Sequence, residues 1–215
     1  MEPGLVSRRP KRADARRNFD ALVAAARDTF AEKGAQTSLE DVARRAGVSI
    51  ATLYRNFPTR EDLVEEVHRE EVEALCHEAE VVVELEPWEA LVAWLHRFVE
   101  YIGTKLAFAD ALNRSTDGFQ AGRRAMRAAG EPLLERAQRV GAARQEVSID
   151  DVLRMISGIS TVEYVDEGQR ERVLQVALAG LRAAATVPAS LELGGTPRLS
   201  GQQITTRFAD VEGEP

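Results

Sequence analysis

Ser49, Ile50, Ala51, Thr52, Tyr54, Arg55 and Asn56 fall within eight consecutive positions and bring together hydroxyls, an amide, a guanidinium and small apolar groups. That set suits hydrogen bonding to nucleic acid. Thr52 can bond a base edge or a phosphate. Arg55 can grip guanine through two parallel bonds or lie at the rim, and Ile50 can press on a thymine methyl group. The rest of the chain holds no matching catalytic set. No GxGxxG, GxxxxGK[ST] or HExxH pattern occurs. His68, His77 and His96 lie in helical stretches without a nucleophile motif beside them. His68 and His77, nine residues apart, point to opposite sides of a helix, about 180° from each other, and cannot share a metal. Cys76 points away from His77. Neither catalysis, nor a metal, nor a cofactor is expected. Only His96, flanked by Trp94, Leu95 and Phe98, is placed to face a cavity.

A reading surface works only if helices hold it. Phe19, Leu22, Val23, Ala26 and Phe30 recur at helical spacing and form one apolar stripe. Gly34 follows, suited to a left-handed helix end. Thr37 and Glu40 match a capping box opening a second helix through Leu39, Val42, Ala43 and Ala46. Ala43 is small enough to let two helices cross closely. Gly47 stops that helix, Val48 plugs the turn and Ser49 caps a third helix. Leu53 and Phe57 anchor the third helix from behind, and Pro58 ends it. Thr59 reads as the cap of a fourth helix whose first amides, beside Arg60, can receive a phosphate. Arg44, on the polar side of the second helix, is a further phosphate candidate.

Any helical hairpin can carry a turn glycine and caps; charge separates the readings. Residues 1–60 hold twelve Lys/Arg and seven Asp/Glu, a net of +5, whereas residues 61–215 hold sixteen and twenty-eight, a net of −12. The whole-chain charge of −7 argues against nucleic acid, but the first part taken alone is basic and argues for it. Arg8, Arg9, Lys11, Arg12, Arg16 and Arg17 make a basic arm running into the first helix. It meets phosphates or the minor groove, or else is a solubilising tail.

The run Leu39-Glu40-Asp41-Val42-Ala43-Arg44-Arg45-Ala46-Gly47-Val48-Ser49, followed by Thr52-Leu53-Tyr54, Phe57-Pro58 and Arg60-Glu61-Asp62-Leu63, resembles the TetR family of transcriptional regulators. The resemblance covers about Phe19 to Leu63. It implies an all-α chain: a three-helix DNA-binding domain with a helix-turn-helix, then a larger helical ligand-binding and dimerisation domain, about nine helices in all. It also implies repression relieved by a small molecule. By the same resemblance the residues at the start of the third helix, Ser49, Ile50, Ala51 and Thr52, approach bases, and Tyr54 and Asn56 approach the backbone. From position and charge, Arg55 is a further base candidate, and Arg44, Thr59, Arg60, Arg16 and Arg17 are further backbone candidates. Ile50 departs from the pattern, because the family more often has a polar or small residue at that exposed place.

The domains expected are a flexible basic arm over 1–13, the DNA-binding domain over 14–60, an effector-binding and dimerisation domain over 61–185, and a mostly flexible tail over 186–215. Leu63 to Val82 reads as one helix with an apolar side. Pro87 starts another, nearly surrounded by apolar residues. A short helix is expected over Lys105 to Leu112, and a long one over Phe119 to Val140, kinked or broken at Gly130 and Pro132. Two more follow, one after Ser148 and one after Gly168. Trp88, Trp94, Phe98, Tyr101, Phe108, Phe119, Met126 and Met155 either fill the core or line a pocket whose polar groups are His96, Tyr101, Asn113 and Arg114. A mostly apolar molecule would bind there, and phenolic, lipid-like and cationic ligands are all compatible. Ile156, Val173, Leu174, Ala177 and Leu181 form a broad apolar surface. It pairs with a second copy in a four-helix interface, or packs into its own subunit. Reading two half-sites about 34–36 Å apart needs symmetry, which favours the homodimer.

At 215 residues and 44% apolar, the chain can bury a substantial core unaided. Its single cysteine allows no intrachain disulfide and suits a reducing cytoplasm. No apolar run approaches a signal peptide or a membrane span. The expectation is therefore a cytoplasmic, DNA-binding regulator acting on a pseudo-palindromic operator. The alternatives are a helical protein-interaction module without DNA binding, or a small helical enzyme.

Overall fold

The computed structural model describes residues 9–107, 112 and 116–183. Eight α-helices follow in order: α1 (Ala13–Lys33), α2 (Leu39–Arg45), α3 (Ile50–Asn56), α4 (Arg60–Val81), α5 (Pro87–Ala107), α6 (Asp117–Arg139), α7 (Ile149–Ser160) and α8 (Glu167–Leu181). No strand occurs among the described residues, and none of the helices there is long and apolar enough to cross a membrane. α5 runs through Lys105 to Ala107, and the rest of the short helix expected over Lys105 to Leu112 falls on residues 108–111, which, like 113–115, lie outside the described residues. So do residues 1–8 and the C-terminal tail beyond Ala183.

The first three helices pack as the apolar stripe requires. Phe19, Leu22, Val23, Ala26 and Phe30 of α1 meet Val42 and Ala43 of α2, with Leu53 of α3 and the adjoining Phe57. Gly47 adopts φ 68°, a left-handed turn that side chains with a Cβ avoid, and so sets the crossing of α2 and α3. The cap of α2 sits one residue later than the Thr37–Glu40 pattern suggests. Ser38 accepts from the Asp41 amide at 3.1 Å, while Thr37 is buried and donates its hydroxyl to the Thr29 carbonyl at 3.0 Å. Closing the turn against α1 therefore claims the Thr37 side chain.

This core is not complete within α1–α3. Leu63, Val64 and Val67 of α4 are fully buried in it. Each such burial is worth roughly 1.5–3 kcal/mol, so the three together rival the whole net stability of a small domain, about 5–15 kcal/mol. Further along, Val72 and Leu75 of α4 belong to a second core with α5, α6, α7 and α8. One helix thus serves both cores.

Helix α6 continues unbroken through Gly130 and Pro132. Gly130 has a packing role: a Cβ there would fall 2.4 Å from the Trp94 ring and 3.0 Å from Ile149. Trp94 cannot easily yield, because it is fully buried and its Nε1 donates to the Leu75 carbonyl at 3.0 Å. Gly130→Ala should therefore destabilise the protein by about 1–3 kcal/mol through overpacking, despite its better helix propensity. Gly103→Ala, at an interior position of α5 with nothing within 4 Å, should instead stabilise by about 0.5–1 kcal/mol. Urea unfolding of both variants checks the opposite signs.

Candidate nucleic-acid interface and cavity

Helix α3 is presented outward because its rear is anchored. Leu53 and Phe57 are fully buried, and the Phe57 ring lies 4.8 Å from that of Phe19. Ser49 caps the helix, accepting from the Thr52 amide at 3.1 Å, and its hydroxyl also sits 2.9 Å from the Thr52 hydroxyl. Arg55 donates to that same Thr52 oxygen at 3.0 Å. Ser49, Thr52 and Arg55 therefore form one hydrogen-bonded row, with Ala51 and Tyr54 exposed alongside. Ile50 is half-buried and packs on the core of the first three helices. Asn56 donates to the Thr52 carbonyl at 2.8 Å and so ties the end of its own helix.

The cationic candidates differ in how firmly they are held. Arg44 is exposed and pairs with Asp41; Arg16 and Arg17 are exposed on α1, with Arg17 paired to Asp14. Arg9 folds back to Asp20 at 2.7 Å. Thr59 caps α4 in a reciprocal box with Asp62. Arg60 turns inward, donating to the Thr37 carbonyl and lying 4.9 Å from the centre of the Phe30 ring. It braces α4 against the turn before α2.

Beneath this head lies a buried ionic cluster. Glu71 of α4, 3% exposed, meets Nε of Arg27 from α1 at 2.5 Å and accepts from Arg97 of α5 at 3.0 Å. The Arg27 Nε contact is an ion pair and not an aligned hydrogen bond. Buried Glu66 accepts from Arg69 at 3.0 Å. Burial opposes the Arg69 charge, but the bonds to Glu66 and Glu73 outweigh it and hold the guanidinium protonated.

A cavity of about 490 Å³ opens between α5, α6 and α7. Of the aromatic and soft residues singled out in the sequence, Phe98, Tyr101, Phe119 and Met126 line it. Trp94 instead fills the core. Trp88 is half-buried beneath Arg182, whose guanidinium lies 5.4 Å from the ring centre. His96 and Met155 are half-buried outside the lining. Phe108, Asn113 and Arg114 lie outside the described residues. Sequence reasoning passed over the charged rim: Lys105, Arg123, Arg127, Asp150 and Arg154 come from three helices and read singly as solvated faces. His68, set aside in the sequence as neither catalytic nor metal-binding, lies on the apolar side of α4 in the i, i+4, i+8 series Val64–His68–Val72. His68 is 2% exposed, stacks 5.1 Å from the centre of the Phe119 ring and shares a 3.0 Å hydrogen bond with the Tyr101 hydroxyl. Burial, helped by nearby Lys105, pushes its pKa down to about 4. Burial and Glu71 push the Tyr101 hydroxyl well above its usual value.

The surface expected to meet a second copy needs correcting. Ile156, Leu174 and Leu181 are buried in their own subunit's core, because α8 folds back onto α7. Val173 and Ala177 are half-buried, and Val176 is 73% exposed. What α8 offers outward is a shallow apolar strip around Val173 and Val176.

An outward α3 crossing α2 at the Gly47 turn, on a body that is helical among the described residues, is the arrangement of a helix-turn-helix module. Residues 22–67 match the family described as bacterial regulatory proteins, tetR family, and residues 86–183 match the transcriptional regulator SbtR-like C-terminal domain. A TetR transcriptional regulator of Streptomyces coelicolor is 40% identical over 78% of this chain and 99% of its own, with a TM-score of 0.67. A TetR regulatory protein of Mycobacterium vanbaalenii is 31% identical over 80% and 99%, with a TM-score of 0.64. The ketosteroid transcriptional regulator KstR2 of Mycobacterium tuberculosis, 21% identical over 81% and 99% with a TM-score of 0.52, shares the fold. No curated protein matches the chain. The chain belongs to the TetR family of transcriptional regulators.

The buried histidine makes stability depend on pH. In the unfolded chain His68 takes up a proton near its usual value of 6.5, and in the folded protein only near 4. Stability from this group is therefore complete above about pH 6.5 and lost as pH falls toward 4, by about 3 kcal/mol in all. Carboxylates titrate in the same window, so the check is a difference. Between pH 6.5 and 4 the unaltered protein should lose stability more steeply than His68→Gln, measured by denaturant unfolding.

Proposed function

We propose that this chain is a homodimeric repressor whose two α3 helices read half-sites of a pseudo-palindromic operator, and that a small molecule in the α5–α6–α7 cavity releases it. The observation that carries the DNA reading is the row Ser49–Thr52–Arg55, hydrogen-bonded along the exposed face of a helix whose rear is locked by Leu53 and Phe57. A pre-ordered row loses little freedom on docking, which favours recognition of base edges. Ser49, Ala51, Thr52 and Arg55 take the base-facing role. Ile50 keeps only its outer edge for a thymine methyl group. Tyr54, Arg44, Arg16 and Arg17 take phosphates, and the first amides of α4 after Thr59 add an anion site. Arg60 and Asn56 support this surface from within, through the bonds to Thr37 and Thr52.

Two-fold symmetry is needed because half-sites recur about every 34–36 Å along one face of the duplex. The exposed valines Val173 (in part) and Val176 of α8, together with Val165 before it at 89% exposed, support a partner surface at this end. Release follows from linkage. A ligand that prefers the state with wrongly spaced heads lowers operator affinity by that preference. The hydrogen bond from Tyr101 at the cavity to His68 on α4 gives a direct route, since α4 also completes the core of the head.

Fluorescence anisotropy with duplexes from the DNA flanking the gene tests this reading. Arg44→Ala should weaken flanking and random duplexes alike and lower the salt slope by about one phosphate contact. Thr52→Ala should change which sequences are preferred. Val176→Glu should leave helix content intact, give monomers in sedimentation and abolish tight binding. Equal affinity for flanking and random duplexes at every salt concentration would sink the assignment.

A further inference from the structure

We propose that the cavity selects an anionic amphipath: one carboxylate on an apolar aryl or acyl body. This deepens the effector reading above and rests on it. The floor is apolar, built from Phe98, Tyr101, Phe119 and Met126, with Phe98 and Tyr101 stacked at 5.8 Å between ring centres. Behind it His68 stays neutral near pH 7, and the Lys105 ammonium lies 5.5 Å from the centre of the Phe119 ring. The rim has the opposite character. Arg123, Arg127 and Arg154 converge on it from α6 and α7, against the one carboxylate of Asp150 among the described residues. That excess of positive charge stands within a part of the chain, residues 61–215, whose net charge is −12. Local convergence against so strong a background is what a site for an anion needs.

The pairing at the rim is also incomplete. Asp150 is shared, bonding Arg127 through one oxygen and Arg154 at 2.9 Å through the other, so one anion serves two guanidinium groups. Nε of Arg127 is buried and has no hydrogen-bond partner among the described residues, where buried donors are normally satisfied. Arg123 has no ion pair among them either. A carboxylate entering with its apolar end toward Tyr101 would bring two acceptor oxygens to the accessible ends of Arg123 and Arg127, in the forked geometry guanidinium favours. A neutral ligand would leave the excess charge as it is, and an amine would add to it. The volume, about 490 Å³, lies within the range of small-molecule sites.

The test uses the full chain and six probes: naphthalene acetate and decanoate, their neutral amides, and the amines of matching length, each titrated by calorimetry. The two scaffolds separate an aryl from an acyl source. Either carboxylate should bind at least about tenfold more tightly than its amide, with no measurable binding by the amines. Arg123→Gln, a change at an exposed residue, should cut carboxylate affinity by about tenfold and leave the amides unchanged. Leu153→Trp, filling the cavity, should abolish binding of every probe. Amides that match or exceed the carboxylates and are lost in Leu153→Trp overturn the ligand class and leave the cavity standing. Carboxylate binding that survives Leu153→Trp overturns the proposal, as does no binding by either carboxylate. The effector reading fails separately, if a carboxylate binds in the cavity and operator affinity does not change.

Discussion

A buried carboxylate needs a cationic partner where it sits, and Glu71 draws one from each of two neighbouring helices. Its partners are Arg27 on α1 and Arg97 on α5. Breaking a buried pair with no other partner typically costs about 3–5 kcal/mol; with two guanidinium groups on Glu71, losing one costs less than losing both. Replacing the whole cluster with apolar side chains need not cost anything, so the cluster is better understood as a registry device than as a source of stability. It fixes how the DNA-reading head sits on the body.

Around that tie, α4 becomes the mechanical centre of the molecule. Its first turns complete the core beneath α3 with Leu63, Val64 and Val67, and its later turns enter the second core through Val72 and Leu75. Arg60 braces its start against the Thr37 carbonyl, and His68 reaches from its middle to Tyr101 at the cavity. A change in the cavity that moves Tyr101 therefore acts on a helix already built into the head. No separate wire is needed, because packed elements shift as units.

Local features were the legible ones. The spacing of Phe19, Leu22, Val23 and Phe30, the turn at Gly47, and the caps at Ser49 and Thr59 all express themselves within one or two helical turns. The choice between Thr37 and Ser38 as the α2 cap was not local; it turned on the Thr29 carbonyl, brought near by the fold. Leu174 and Leu181 show the limit of periodicity: a helical apolar stripe looks the same whether it faces its own core or another copy. The cavity divided along the same line. Its aromatic floor stood out in composition, whereas its cationic rim is assembled from positions 105 to 154 on three helices and had no pattern to reveal it. Trp94, one of the pocket candidates, belongs to the core through its bond to Leu75 and leaves no room for a Cβ at Gly130.

The claim that head and body open as one unit through α4 is tested most directly by native-state hydrogen exchange on the intact protein. Buried amides of α1 and of α4 should share one opening free energy, and Glu71→Gln should lower both by the same amount. Exchange of α1 through an opening that leaves α4 protected, unchanged by Glu71→Gln, would contradict it.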